Sequence, residues 1–397
     1  MSNVNNNMMK LGQVRSVIRD TFEYGNMRAA QIGRENVFDF SLGNPSVPAP
    51  ECFDNSVMNL IENLNPVALH GYTSAVGDAA TREAIAESIN KKFNANVDKN
   101  DIYMTCGAAA SLTISLNALT NEGDEVIAFA PFFPEYRVFA ENAGAKLVVV
   151  PANTENFQID FDAFTALINE RTKAVIINSP NNPTGVVYSA DTINRLCDIL
   201  REKSKTYGNP IYLISDEPYR ELVYDDIEQP YITNCYDDAI VCYSFSKSLS
   251  LPGERIGYIV VGSKMQYKNE VFAAVCGAGR ALGFVCAPSM MQKAIINCLD
   301  ATADVNVYKK NRDLLYNALC EYGYECVMPD GAFYLFVKAP IEDANEFCMK
   351  ARDYELLLVP SDSFGCKGYV RISYCVATDM IERSLPAFKK LIDNYRK

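Results

Sequence analysis

The chain has 397 residues, 49% of them hydrophobic, enough for a sizeable core and about two to three domains on ordinary size grounds. Its 37 basic and 49 acidic residues leave a net charge of -12, which argues against nucleic acid or an anionic membrane as partner. The start, MSNVNNNMMKLGQVRS, lacks the apolar core of a signal peptide, and no run approaches the roughly 20 apolar residues of a membrane span, so the chain reads as cytoplasmic.

Thirteen cysteines, an odd number without a CxxC pair, lie scattered through apolar segments and read as reduced core thiols rather than disulfides or a zinc site. His70 is the only histidine, which excludes a multi-histidine metal site and leaves any Ser/His/Asp or Cys/His system resting on one residue. A polar residue beside a turn is the preferred reading of His70.

In chain order, residues 10 to 36 predict one amphipathic helix behind a polar tail, and residues 38 to 42 a short apolar strand. GNPSVPAPE, beginning at Gly43, is a proline-rich arm held extended. A helix over 53 to 64 follows. Gly71 and Gly77 then bracket an exposed-looking Tyr72, whose plainer reading is an aromatic packed on the helix that begins near Asp78.

From 101 to 262 strands and helices alternate. Strand-like runs occupy 124–130, 146–152, 173–178, 211–216, 239–243 and 255–261. Between them lie helical patterns, clearest at Ile193, Leu196, Cys197 and Leu200, closed by Gly208. The pattern predicts an α/β fold with a mostly parallel, doubly wound sheet. Ligands of such sheets bind beyond the carboxyl ends of the strands, so the loops there carry the chemistry.

TCGAAASL places Gly107, Ala108 and Ala109 at a helix start, where free N–H groups and the helix dipole favour an anion, although small residues also permit close packing. APFFPEY ends a strand with two phenylalanines, one of which can cover a flat ring. NSPNNPTG ends another with amides, prolines and glycine in a fixed turn. ISDEPY ends the next with Asp216 and then Tyr219, and a carboxylate projecting from a buried strand needs a cationic or hydrogen-bonding partner.

The stretch AIVCYSFSKSLSLPGERIGY, 239 to 258, reads as a buried strand, a small polar turn with Ser244, Ser246 and Lys247, and a second strand, with Pro252 and Gly253 preventing an immediate helix. A lysine at the mouth of a sheet loses water, which disfavours the ammonium and leaves an amine able to condense with an aldehyde. With Arg255 nearby, the segment suits a ligand carrying both a carbonyl and a phosphate. Alone, it reads equally as a basic surface loop.

From about 300 the chain predicts a smaller α+β unit: a helix ending at Gly323, a hairpin turning at Asp330 and Gly331, a helix before LLLVPS, a strand over 369–375, and a last helix from about 379 to 395 that Pro386 kinks or restarts. The domain reading is an arm and part of the small domain at 1–45, a large domain at 46–299 and a small domain at 300–397 that closes over substrate.

Taken together, the loops supply what pyridoxal phosphate needs: a lysine for its aldehyde, an anion cradle, a carboxylate for its ring nitrogen, a donor for its phenolic oxygen and a stacking face. The order TCGAAASL, PFFPEY, NNPTG, DEPY, SFSK and GERIGY resembles the class I/II aminotransferases of the aspartate aminotransferase superfamily, fold type I, from GNPSVPAP to VRISY. The resemblance implies that Lys247 binds the cofactor aldehyde, Asp216 its ring nitrogen, and Tyr219 with Asn182 its phenolic oxygen. It implies stacking by Phe133, and a phosphate cup of Gly107, Ala108, Ala109, Ser244 and Arg255. Tyr72 matches a tyrosine that reaches the phosphate of a neighbouring subunit, in a homodimer with shared sites. Arg371 matches the arginine that holds the substrate α-carboxylate, and Gly43 the arm residue closing over it.

The implied reaction is ping-pong transfer of an amino group from an L-amino acid to a 2-oxo acid, with aspartate and 2-oxoglutarate as the pair considered. A carbon–sulfur β-lyase on the same fold and a cofactor-binding regulator are the alternatives. GAGRALG has the form GxGxxxG but lacks a preceding strand, and SFSK satisfies SxxK without the SDN and KTG motifs that should accompany it. Within GAGRALG, Arg280 is the candidate cation for a second substrate carboxylate.

Overall fold

Strands covered on both faces need apolar residues at nearly every position, and the segments at 172–178, 212–216 and 239–244 supply them. A computed structural model, describing residues 4–13 and 16–396, makes them neighbours in one sheet. In chain order the strands are β1 (Phe38–Asp39), β2 (Ile102–Thr105), β3 (Glu125–Phe129), β4 (Lys146–Val150), β5 (Thr172–Asn178), β6 (Tyr212–Asp216) and β7 (Ala239–Ser244). Then come β8 (Gly257–Val261), β9 (Glu325–Cys326), β10 (Tyr334–Lys338), β11 (Leu356–Leu357), β12 (Val359–Pro360) and β13 (Tyr369–Ser373).

The chain divides into two units. The larger comprises 47–305 with 330–332; the smaller takes the described residues of 1–46, 306–329 and 333–397. In the larger unit a seven-stranded sheet has the order β2-β8-β7-β6-β5-β3-β4. Strands β7, β6, β5, β3 and β4 run parallel, whereas β8 opposes both β7 and β2. Successive side chains point to opposite faces, so Leu213, Val241 and Tyr243 join one core while Ile214, Ile240 and Cys242 join another. Helices Ala79–Phe93 and Ala190–Tyr207 cover the first face with Ile85, Ile89, Leu196 and Leu200. Helices Ala108–Leu119 and Lys268–Ala281 cover the second with Leu112, Leu116, Val271 and Val275. Each such side chain contributes about 1.5–3 kcal/mol when fully buried. The ends of Ala190–Tyr207 follow from its sequence: Ser189 Oγ accepts the Thr192 N–H, and Gly208 takes the left-handed conformation that ends the helix.

Several local expectations are corrected. The single helix over 10 to 36 is instead Asn6–Gln13 and Val17–Ile32, the second restarted by the Ser16 cap and stopped at Gly33; positions 14 and 15 lie outside the described residues. A strand at Ile102–Thr105, absent from the sequence reading, pairs with β8, because four buried residues suffice once a neighbour supplies the ladder. Pro66–His70 is a short helix capped by Asn65. Lys247 sits inside one helical turn, Phe245–Ser248, directly after β7; Pro252 and Gly253 come too late to prevent it, and Ser244 Oγ caps it by accepting the Ser246 N–H.

The smaller unit has a four-stranded antiparallel sheet in the order β12-β13-β10-β9 and a parallel pair, β1 with β11. Strands β9 and β10 pair antiparallel, but Asp330 and Gly331 do not form a tight hairpin turn between them. Their N–H groups both donate to Gly185 O within the larger unit. Pro386 neither ends nor restarts the last helix, Thr378–Asp393. It lies on the exposed side, as does Glu382, whose carbonyl loses its partner to the proline, while Ile381, Phe388, Leu391 and Ile392 hold the opposite face buried. Among the described residues no helix is long and apolar enough to cross a membrane.

Candidate active site

Because β5, β6 and β7 are parallel and in register, their carboxyl ends lie together: Asn178 pairs with Asp216, and Asp216 with Cys242, two residues before β7 ends. The loops carrying Asn182, Tyr219 and Lys247 therefore leave the sheet at one edge. Strand β8 runs the other way, so Arg255 reaches the same edge by preceding its strand, where Gly257 is paired with both Ser244 and Thr105. A Cβ on Gly257 would come 2.9 Å from Gly107 Cα, so only glycine lets these segments approach.

Asp216 is the centre of this edge. It is 5% exposed; Tyr136 Oη donates to its Oδ2 at 2.5 Å, and Oδ1 is buried with no hydrogen-bond partner among the described residues. Asn178 Nδ2 holds its backbone carbonyl at 2.9 Å. Burial pushes the Asp216 carboxyl up to about 7; the Tyr136 bond opposes this and the Glu217 charge adds to it. A carboxylate so placed is stabilised by a cationic N–H at Oδ1. Tyr136 lies in the PFFPEY motif but escaped the sequence reading, since nothing local says that its hydroxyl crosses to another strand. Its burial, 2% exposed, is the only signal, and it is a tertiary one.

Around the start of helix Ala108–Leu119 the geometry suits an anion. Gly107, at a φ of +92°, caps the helix without a side-chain bond, which leaves the first-turn N–H groups, those of Ala108 and Ala109 among them, without intrahelical acceptors. A Cβ on Gly107 would lie 3.0 Å from Arg255 Nη2, so the guanidinium borders this cradle. Arg255 holds an unusual positive φ of +52°, with Nη1 donating to Pro252 O at 2.9 Å and to Ser246 Oγ at 3.5 Å. Ser246 Oγ in turn lies 2.7 Å from Ser244 Oγ. Ser246 thus joins Ser244 and Arg255, a place the motif comparison did not give it.

Asn182 and Tyr219 are buried, at 6% and 5% exposure, and the Asn182 N–H donates to Asn178 Oδ1 at 2.7 Å. The turn beneath Asn182 is fixed by Asn181 Oδ1, which accepts from the N–H and hydroxyl of Thr184. Phe133 is half-buried and meets Tyr136 edge to face at 5.8 Å. Two expected residues are not brought to this group. Tyr72 is 94% exposed. Arg280 is an exposed residue in the last turn of helix Lys268–Ala281 rather than in a loop. The glycine before it, Gly279, serves packing, since a Cβ there would come 2.9 Å from Tyr103 Cζ.

In the smaller unit Arg371 occupies β13, 2% exposed, with Nη2 donating to Ser41 O at 2.6 Å. Its guanidinium lies 4.7 Å from the centre of the Tyr334 ring and 5.3 Å from that of Phe364. Gly43 packs against the same tyrosine: a Cβ would come 2.9 Å from Tyr334 Cζ. The unit therefore gathers Arg371 and Gly43 around one ring.

A family model for aminotransferase class I and II matches residues 35–388, and the chain belongs to this family. A crystal structure of an amino transferase from Eubacterium rectale is similar to it, with 57% identity, a TM-score of 0.98 and full coverage of both chains. A probable aspartate aminotransferase from Methanocaldococcus jannaschii is 31% identical over 81% of this chain and 85% of that protein. The aspartate aminotransferase structure from Thermotoga maritima has 28% identity and a TM-score of 0.87, covering 98% of this chain and 100% of the other. The protein is a transaminase, moving an amino group from an amino acid to a 2-oxo acid, and its family is generally dependent on pyridoxal phosphate.

Proposed function

We propose that the chain binds pyridoxal phosphate at the edge formed by β5, β6 and β7 and uses it to transaminate aspartate, with 2-oxoglutarate as acceptor. The observation that carries the cofactor reading is Asp216, whose buried Oδ1 awaits a donor while Oδ2 is taken by Tyr136. When bound, pyridoxal phosphate supplies an aldehyde that condenses with amines and a protonated ring that withdraws electrons from the bond being broken.

The chain's own residues do the rest. Asp216 holds the proton on the ring nitrogen. Tyr219 and Asn182 donate to the phenolic oxygen, and Phe133 covers the ring and excludes water from it. The N–H groups of Gly107, Ala108 and Ala109, with Ser244 and Arg255, hold the phosphate, and Tyr72 serves that of a neighbouring subunit in a homodimer. Lys247 Nζ would hold the aldehyde, and its amine, when free, would be the base that takes the proton from the substrate Cα. Arg371 binds the α-carboxylate through a planar pair of donors, and Gly43 belongs to the arm beside it.

Borohydride reduction followed by peptide mapping tests this directly. The label is expected on Lys247, in a protein whose conversion of an amino acid to a 2-oxo acid requires a 2-oxo acid acceptor; acceptor-independent release of product would point to elimination instead.

Tyr136→Phe removes a bond that favours the ionised carboxylate of Asp216. Hydrogen bonds to charged groups are worth about 1.5–3 kcal/mol, so cofactor affinity is expected to fall about tenfold or more. Equilibrium dialysis checks it, and unchanged affinity would detach Tyr136 from the site.

The aspartate assignment follows the names of the Methanocaldococcus and Thermotoga relatives, and a second carboxylate needs a second cation. Arg280 is the candidate. An exposed ion pair is worth about 1 kcal/mol or less, so a large effect requires that substrate cover it. Arg280→Ala is expected to lower kcat/KM for aspartate at least about tenfold more than for alanine or phenylalanine, about 1.4 kcal/mol. Equal losses across the three would remove Arg280 and favour a neutral donor.

A further inference from the structure

Behind the candidate lysine, on the face of β7 turned away from Ile240 and Cys242, lies a chain of buried polar groups that no step above uses. Glu217 follows Asp216 directly, and its N–H donates to Cys242 O at 2.9 Å. Its Oε2 accepts from Arg220 Nε at 2.5 Å, the two side chains being 3% and 6% exposed. The Arg220 guanidinium lies 4.4 Å from the centre of the Tyr243 ring, which is stacked on Tyr258 at 4.8 Å. Tyr243 Oη is 2.8 Å from Glu221 Oε2 and 2.8 Å from Ser248 Oγ. Tyr243 Oη is the donor toward both, its one proton shared between the Glu221 carboxylate and Ser248 Oγ, which accept. Ser248 is the residue after Lys247, and its carbonyl accepts the Ala303 N–H at 2.7 Å.

We propose that Tyr243 and Ser248, backed by the Glu217–Arg220 pair, are positioning residues that hold the helical turn carrying Lys247 in register with the end of β6 carrying Asp216. The turn is only Phe245–Ser248, too short to fix its own orientation, so its direction must come from outside. The brace supplies two anchors at Ser248, a directional hydroxyl bond and a backbone bond. A buried ion pair is a poor way to gain stability, since apolar residues of similar volume often serve as well or better. It does set one geometry, because Arg220 lies against a ring face and along a carboxylate at once. Catalysis is more sensitive to this than folding is: a displacement of about 1 Å costs roughly a hundredfold in rate, whereas one neutral hydrogen bond changes stability little.

This rests on Lys247 and Asp216 acting as proposed above, and the test separates the two readings. The full-length, cofactor-loaded enzyme is compared with Tyr243→Phe, Ser248→Ala and the double variant. Each single change is expected to lower kcat about tenfold with KM within about twofold, and to shift the pH titration of the visible absorption of the lysine-bound cofactor, while thermal unfolding of the cofactor-free protein moves little. The double variant should be no slower than the slower single one, because both changes cut the same link. Losses that multiply, a melting shift without a change in kcat, or an unmoved titration would each overturn the brace. If Tyr243→Phe does not fold, Ser248→Ala carries the same readouts. A wild-type chain that takes up no pyridoxal phosphate overturns the function; one that loads and turns over with unaffected variants overturns only the brace.

Discussion

Lys247→Ala is expected to abolish turnover while leaving a folded protein that still holds pyridoxal phosphate without a covalent bond. The residue lies in the turn after β7, and its amine is assigned two tasks, binding the aldehyde and taking the Cα proton. Loss of a positioned general base alone costs about a hundred- to ten-thousand-fold. The cup around Gly107, Ser244 and Arg255 does not depend on the lysine side chain, so the variant should retain cofactor on dialysis but show no product in single-turnover assays. Near-normal activity, or a borohydride label on a different lysine, would show that the amine belongs elsewhere.

Asp216→Asn keeps the shape of the carboxyl and removes its charge. With the cofactor bound, the ring nitrogen loses the anion that keeps it protonated, and removal of the Cα proton should slow by about two to three orders of magnitude, the range seen when one preorganised electrostatic group is lost. The cofactor-free protein should respond in the opposite sense. There the Asp216 carboxyl is raised from 3.8 to about 7, chiefly by burial, so between these values the folded state binds more protons than the unfolded one. That contribution to stability is fully present below about 4 and is lost as pH rises through 7. Asparagine has no such titration. The cofactor-free variant should therefore show a flatter stability profile across this window and be more stable than the wild type at pH 8, by on the order of a few kcal/mol. Denaturant unfolding at several pH values measures it. Parallel profiles, or an unaltered single-turnover rate, would contradict the role given to Asp216.

Much of the candidate site was legible because each part is local. Asp216 and Tyr219, Asn182, and Ser244 with Lys247 each fall within a few residues after an apolar strand, and parallel strands deliver such segments to one edge without further information. Other parts were not local. An apolar run has the same pattern in either direction, so the antiparallel course of β8, which brings Arg255 to the edge from the N-terminal side of its strand, could not be read. The short turn at Lys247 was expected to be irregular because Pro252 and Gly253 are strong breakers, yet one capped turn fits ahead of them. Glycines such as those around Arg280 often mark loops, yet Arg280 lies in a helix, and Gly279 there admits the Tyr103 ring.

The sequence by itself determined the alternation of strands and helices, the sheet class, the family and the residue types at the strand ends, because these follow from periodicity and from motifs contiguous in the chain. Only the tertiary structure decided what those residues meet. Tyr136 reaches Asp216 across 80 positions, and Arg220 is buried against Phe93, Tyr231 and Tyr243, which come from three separate parts of the chain. The environment that raises a carboxyl or confines a guanidinium is made by side chains distant in sequence, and no local pattern encodes which of them arrive.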